Sequence, residues 1–155
     1  MATRVLLADD HPLLLSGTKT YLETNSYLVV ATAQDGIETY RKILKFKPTI
    51  AILDFDMPKL NGIEVAKALQ KKKIQVKIIL LTLHQQEAIY QEVGKSIAGY
   101  LTKDTALEEL DKCLQFVLDS KTYVSSSLQS SIYFDTQSRA VEKLTASELK
   151  ILKYI

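Results

Sequence analysis

Six side chains of this 155-residue sequence stand where apolar runs stop, and together they have the chemistry of a phosphoryl-handling site. Asp9 and Asp10 follow Arg4–Ala8. Asp54 follows Thr49–Leu53, with Asp56 two residues on. Thr82 follows Lys77–Leu81, and Lys103 follows Ile97–Leu101. Three carboxylates drawn into one crevice repel one another and require a cation. Hard oxygen donors with room for water suit Mg²⁺, which commonly takes one or two carboxylates plus a phosphate. A lysine across the crevice adds a fixed positive charge for a phosphoryl group, and the Thr82 hydroxyl can hydrogen-bond a phosphoryl oxygen. Such a set suits phosphoryl transfer, where catalysis is mostly positioning and charge neutralisation. His11 and His84 are the only histidines, and neither has a serine or cysteine partner at hand.

Taken singly, these residues have plainer readings. A carboxylate before Pro12 is commonly a helix cap, carboxylates beside a proline loop are common turn residues, and a lone lysine is usually solvated. The functional reading rests on their joint placement at the strand ends of one sheet. Adjacent residues of a strand point to opposite faces. Asp9 and Asp10 therefore share a site only if the strand ends between them or one acts through water.

The elements that must position these groups alternate regularly. Arg4–Ala8 reads as a buried strand. Pro12 suits the first turn of a helix running to about Asn25. Leu28–Ala33 is a second strand, and Ile37, Tyr40 and Leu44 mark a helix that Lys47-Pro48 ends. A third strand covers Thr49–Leu53, a proline-containing loop covers Phe55–Asn61, and Ile63, Ala66 and Leu69 form a helical stripe closed by Lys71-Lys72-Lys73, a helix end favoured by the dipole. Lys77–Leu81 is the most hydrophobic strand, Glu87–Val93 a weaker helix, and Ile97–Leu101 a short strand. Leu107, Leu110, Leu114 and Val117 keep one apolar face, with Cys113 on it, and Thr105 with Glu108 has the spacing of a capping box. The order implies an α/β fold, a parallel sheet with helices on both faces, whose functional crevice lies beyond the carboxyl ends of the strands.

Composition agrees with a globular chain: 46% hydrophobic and 25% charged residues, close to the usual average. Residues 1–119 carry 15 basic and 15 acidic side chains, and residues 120–155 carry 5 and 3. Neither part has the basic excess of a nucleic-acid footprint. A single cysteine excludes an internal disulfide. No apolar run is long enough to cross a membrane, and the N-terminus lacks a signal-peptide pattern, so a cytoplasmic protein is expected. Residues 1–119 form the first domain. Residues 120–143 are serine-rich and poorly periodic, a linker whose one strong apolar patch is Ile132-Tyr133-Phe134. At 144–155, Leu144, Thr145, Glu148 and Leu149 give a capping box and hydrophobic staple, the expected first helix of a further, truncated domain.

Asp9-Asp10, Leu53-Asp54-Phe55-Asp56-Met57-Pro58 with Asn61-Gly62, Leu81-Thr82 and Gly99-Tyr100-Leu101-Thr102-Lys103-Asp104 together resemble the receiver domain of bacterial two-component response regulators. The Gly-Tyr-Leu-x-Lys-Asp ending and the Leu144-Thr145-x-x-Glu148 start resemble the NarL/FixJ branch with a LuxR-type helix-turn-helix output. The resemblance implies a flavodoxin-like, doubly wound five-stranded sheet of order 2-1-3-4-5. It implies that Asp54 is the phosphoacceptor and a sensor histidine kinase the donor. It further implies that Asp9, Asp10, Asp54 and the backbone carbonyl of Asp56 hold Mg²⁺, that Lys103 pairs with the phosphoryl group, and that Thr82 and Tyr100 are the switch pair. A homodimer is expected on phosphorylation. DNA is expected to be bound only through the part of the output domain beyond Ile155. The expected activity is stoichiometric phosphoacceptance rather than enzymatic turnover, with at most slow self-dephosphorylation.

Asp56 and His84, each two residues past a key position, are expected to tune the acyl-phosphate lifetime. Asp104 stands where the wider family often has proline, leaving the geometry of the Lys103–Asp104 bond open. Leu83 follows the switch threonine where many receivers have a small residue, and Ser96-Ile97 replaces a common Gly-Ala. Two alternatives share these residues. Asp54-Phe55-Asp56 resembles the nucleophile and acid pair of haloacid-dehalogenase-like phosphatases, which in that family follows the first strand and here follows the third. A degenerate receiver serving only as an interaction module is the other, and the intact acidic set argues against it.

Overall fold

The computed structural model describes residues 2–83 and 96–126. Its strands are β1 (Arg4–Ala8), β2 (Leu28–Ala33), β3 (Ile50–Asp54), β4 (Lys77–Thr82), β5 (Gly99–Thr102) and β6 (Tyr123–Val124), and its helices are α1 (Pro12–Thr24), α2 (Gly36–Phe46), α3 (Gly62–Lys71) and α4 (Ala106–Leu118). The strands form one sheet in the order β2-β1-β3-β4-β5-β6, with every pairing parallel.

Successive strand residues point to opposite faces, and the core divides accordingly. Val5, Leu7, Ile52, Ile79 and Leu81 pack with Leu22 of α1 and Leu110, Cys113, Leu114 and Val117 of α4. Leu6, Ala51, Leu53, Leu80 and Tyr100 pack on the other face with Ile43 of α2 and Val65, Ala66 and Leu69 of α3. The central strand β3 is buried at all five positions, as a strand covered by helices on both sides must be.

The helix starts differ in how they are held. Asp35 caps α2 by accepting from the Glu38 N–H at 2.8 Å. Asn61 and Glu64 form a reciprocal capping box at α3, a pairing the sequence reading did not single out. The capping box expected from Thr105 and Glu108 at α4 does not form: no side-chain cap bond is made there, and the Thr105 hydroxyl instead faces the Glu109 carboxylate, to which it donates at 2.9 Å.

The sheet carries one strand more than the five expected. Tyr123 and Val124, placed in the linker on sequence, pair with Gly99 and Tyr100 of β5. The buried Tyr123 ring packs edge-to-face on Phe116 at 5.3 Å. Two residues are too few to show the alternation that marks a strand. No cis peptide occurs among the described residues, so the Lys103–Asp104 bond is trans. His84, the helix expected at Glu87–Val93, the Ile132–Phe134 patch and the helix expected from Leu144 lie outside the described residues.

Candidate functional site

Sheet register brings the acidic residues together. Ala8 pairs with Leu53 across β1 and β3, so Asp9 and Asp54 come next, side by side. Strand β1 ends at Ala8, and the Asp9 N–H still reaches the Ala33 carbonyl at 3.0 Å. The chain turns before Asp10, so both aspartates reach one site. Ligand atoms of Asp9, Asp10, His11 and Asp54 lie within 4.8 Å of one another. Asp54 is 1% exposed, whereas Asp10 opens to solvent with a third of its side chain.

Lys103 completes the cluster. Its N–H donates to the Thr82 carbonyl at 2.7 Å, which ties the end of β5 to the end of β4. Its Nζ stands 3.0 Å from Asp54 Oδ2 and 3.5 Å from Asp9 Oδ2, with 6% of the side chain exposed. The contact is an ion pair without an aligned hydrogen bond. Asp56 is exposed, and its N–H donates to Asp54 Oδ1 at 3.2 Å.

The start of α3 also abuts the site. The Gly62 N–H donates to the Phe55 carbonyl at 2.9 Å, and a β-carbon at Gly62 would come within 2.7 Å of the Asp54 carbonyl oxygen. Only glycine lets the helix approach this closely.

Burial pushes the Asp54 carboxyl up, to about 7; the neighbouring Asp9 charge adds to this, while Lys103 and the Asp56 N–H oppose it. Three carboxylates face one buried ammonium, so the site is short of positive charge. Buried Asp54 Oδ2 and Asp10 Oδ1 carry no aligned hydrogen bond. This set of hard oxygen donors fits a divalent cation.

His11, set aside on sequence for want of a partner, belongs to the cluster. Its backbone N–H donates to Asp9 Oδ1 at 2.9 Å. Its Nδ1 lies 3.0 Å from Asp9 Oδ1, 3.1 Å from Asp10 Oδ1 and 3.8 Å from Asp54 Oδ2. It is also the residue that precedes Pro12 at the start of α1, so Asp10 is not the cap of that helix. A partner supplied by carboxylates, rather than by serine or cysteine, was the signal available in Asp9-Asp10-His11.

Thr82 is the last residue of β4 and is buried. Tyr100 pairs with Leu80, so Thr82 and Tyr100 share one sheet face, two positions apart on adjacent strands. The Tyr100 ring is wholly buried, and burial raises its hydroxyl pKa.

The sequence profile of the response regulator receiver domain matches residues 5–115. The chain is a response regulator. Over 157 residues this response regulator is 34% identical to the transcriptional regulatory protein MctR of Rhizobium johnstonii, a match covering 98% of this chain and 72% of MctR. Its fold superposes on the crystal structure of a LuxR-family two-component response regulator from Aurantimonas sp. SI85-9A1 with a TM-score of 0.82 and 28% identity, covering 88% of this chain and 99% of the other. It is also similar to RcsB in a structure of two RcsB dimers bound to two parallel DNAs. There the TM-score is 0.78 at 27% identity, over 86% of this chain and 69% of RcsB.

The response regulator thus has the receiver domain of the LuxR family, whose members couple phosphorylation to transcription regulation. Asp54 ends the third strand and Asp56 follows it, where a phosphatase of that kind has its pair after the first strand, and nothing favours the haloacid-dehalogenase-like alternative. Among the described residues, no helix is long and apolar enough to cross a membrane.

Proposed function

We propose that Asp54 is the phosphoacceptor of this response regulator and that a sensor histidine kinase supplies the phosphoryl group. The observation that carries this reading is the placement of Asp54 at the closed end of β3, between Asp9 and the Lys103 ammonium at 3.0 Å. An ionised Asp54 oxygen attacks the phosphorus in line. The phosphorus–nitrogen bond to the kinase histidine breaks, its electron pair returns to the imidazole, and an acyl phosphate forms on Asp54. Lys103 stabilises the charge on the transferring group and favours the ionised form of Asp54 against the burial that opposes it.

The oxygens of Asp9, Asp10 and Asp54, with the backbone carbonyl of Asp56, would hold Mg²⁺. When bound, the ion neutralises phosphoryl charge. The phosphoryl oxygens would then recruit the Thr82 hydroxyl, and the space it leaves is open to Tyr100, whose ring is already buried on the same sheet face. The change is a population shift, which needs only a few kcal/mol of differential stabilisation.

In the same reading residues 120–143 lead from the receiver of residues 1–119 to an output domain that begins near residue 144. The first part of this connection is already in the sheet as β6. Phosphorylation shifts a monomer–dimer balance and thereby the DNA binding of the output domain, as the likeness to DNA-bound RcsB dimers supports. The protein works in the cytoplasm beside its kinase.

Mass spectrometry after incubation with a small acyl phosphate and Mg²⁺ tests the core of this reading. The parent gains one phosphoryl group, only when Mg²⁺ is present, and Asp54→Asn gains none. Equal labelling of the two proteins overturns the assignment.

A further inference from the structure

Away from the acidic cluster, one carboxylate gathers four donors. Glu109, in the first turn of α4, accepts from Thr105 Oγ1 at 2.9 Å and from Ser125 Oγ at 2.7 Å through Oε2. Through Oε1 it accepts from Tyr123 Oη at 2.8 Å and from the Ser126 N–H at 3.0 Å. These donors come from two places. Thr105 belongs to the turn that carries Lys103. Tyr123, Ser125 and Ser126 belong to the chain leaving the receiver.

Each place is tied in turn to the site. Thr105 Oγ1 lies 2.9 Å from Thr102 Oγ1, and the Thr105 N–H donates to the Thr102 carbonyl at 3.3 Å. The Lys103 turn is therefore bracketed by two threonines, with Glu109 closing it from the helix. On the other side the Ser125 N–H donates to the Tyr100 carbonyl at 2.7 Å. An ionised carboxylate is acceptor-only and can take all four donors, whereas an amide replaces part of that capacity with N–H groups. A glutamine at this position either sets its amide N–H groups against the Ser126 N–H, or turns them toward Thr105 and Ser125, whose hydroxyls must then reverse and lose their bonds to a charged oxygen.

We propose that Glu109 is a positioning residue that locks the Lys103 turn to residues 123–126, so that movement of Lys103 and β5 on phosphorylation reaches the segment leading to the output domain. The coupling to phosphorylation rests on the phosphoacceptor role of Asp54. The clasp itself does not. Glu109 touches neither the acidic cluster nor the transferring group, and it acts through Thr105 on one side and Ser125 and Ser126 on the other.

Hydrogen–deuterium exchange of the full chain, read on peptides spanning residues 121–126, tests both parts. In the unmodified protein, Glu109→Gln speeds exchange there by at least tenfold, and Tyr123→Phe, which removes one of four donors, speeds it by less. After treatment with a small acyl phosphate and Mg²⁺, the parent and Tyr123→Phe change their exchange at 121–126 by threefold or more. Glu109→Gln takes up the same label and shows no such change.

Unchanged exchange in unmodified Glu109→Gln overturns the clasp. A labelled Glu109→Gln that responds like the parent overturns the coupling. If Glu109→Gln fails to fold, Ser125→Ala tests the exit side alone, keeps the Thr105–Glu109 bond, and must lose at least half of the response. If the parent takes no label, the phosphoacceptor reading fails, and the comparison of unmodified proteins still decides the clasp.

Discussion

The Lys103 ammonium, carried by the turn after β5, reaches past the end of β4 to stand 3.0 Å from Asp54 Oδ2 at the end of β3. It is the one ammonium within ion-pair distance of Asp54 among the described residues, and it is almost wholly shielded from water. Its charge opposes the burial that raises the Asp54 pKa. Lys103→Met keeps the stem and removes the charge. Its rate of label uptake from a small acyl phosphate at neutral pH falls at least tenfold, about 1.4 kcal/mol of barrier. A rate within twofold of the parent overturns the role given to Lys103.

Stability is expected to depend on pH through Asp54. Burial pushes its carboxyl from the ordinary 3.8 up to about 7 in the folded protein. The folded state therefore holds this proton more tightly than the unfolded chain does. The contribution is fully present below the unfolded value and is lost as pH rises through the folded one. In the presence of a chelator, the melting temperature of the parent falls between about pH 5 and about pH 8, and that of Asp54→Asn falls less. Adding Mg²⁺ at the higher pH restores much of the loss in the parent and little in the variant. Parallel pH profiles for the two proteins count against a strained Asp54.

Gly62 is the point where α3 meets the site strand. A β-carbon there would lie 2.6 Å from Leu80 Cδ1 and 2.7 Å from the Asp54 carbonyl oxygen. The leucine can move and the backbone cannot. Gly62→Ala is expected to lose about 2 kcal/mol in denaturant unfolding, within the range for overpacked interiors. It also slows labelling by shifting Asp54. A loss below about 0.5 kcal/mol shows that the helix start slides freely, contrary to this packing.

From the sequence, Asp56 and His84 are expected to set the persistence of the phosphorylated state. Asp56 is exposed beside Asp54 and places negative charge near the acyl phosphate. The dephosphorylation rates of Asp56→Asn and His84→Ala each differ from the parent by more than about twofold, roughly 0.4 kcal/mol. Rates inside that margin for both variants remove these positions from the control of lifetime.

Much of the site was legible because each strand ends where an apolar run gives way to a polar side chain. Asp54 and Thr82 close β3 and β4 as the last residues of their strands, and Asp9 follows β1 directly. Parallel pairing then brings them together. Less legible were contacts that depend on which of several polar neighbours a hydroxyl or imidazole selects. Thr105 had both Glu108 and Glu109 within reach by sequence, and tertiary contact with Tyr123, Ser125 and Ser126 favoured Glu109. His11 gained its place from Asp9 and Asp10 beside it in the chain and from Asp54, which only folding brings there. Tyr123 and Val124 were hidden in a serine-rich stretch because a two-residue strand owes its existence to its neighbours rather than to its own pattern.

Gly99 lets α4 lie so close to β5 that a β-carbon there would come within 2.7 Å of Cys113 Sγ. Cys113 is the sole cysteine, it is wholly buried, and burial pushes its thiol up to about 12. A thiol reagent therefore meets a reactive sulfur only when α4 lifts from the sheet. The rate of alkylation in excess reagent reports how often this helix detaches, and the native chain carries that reporter without any added probe.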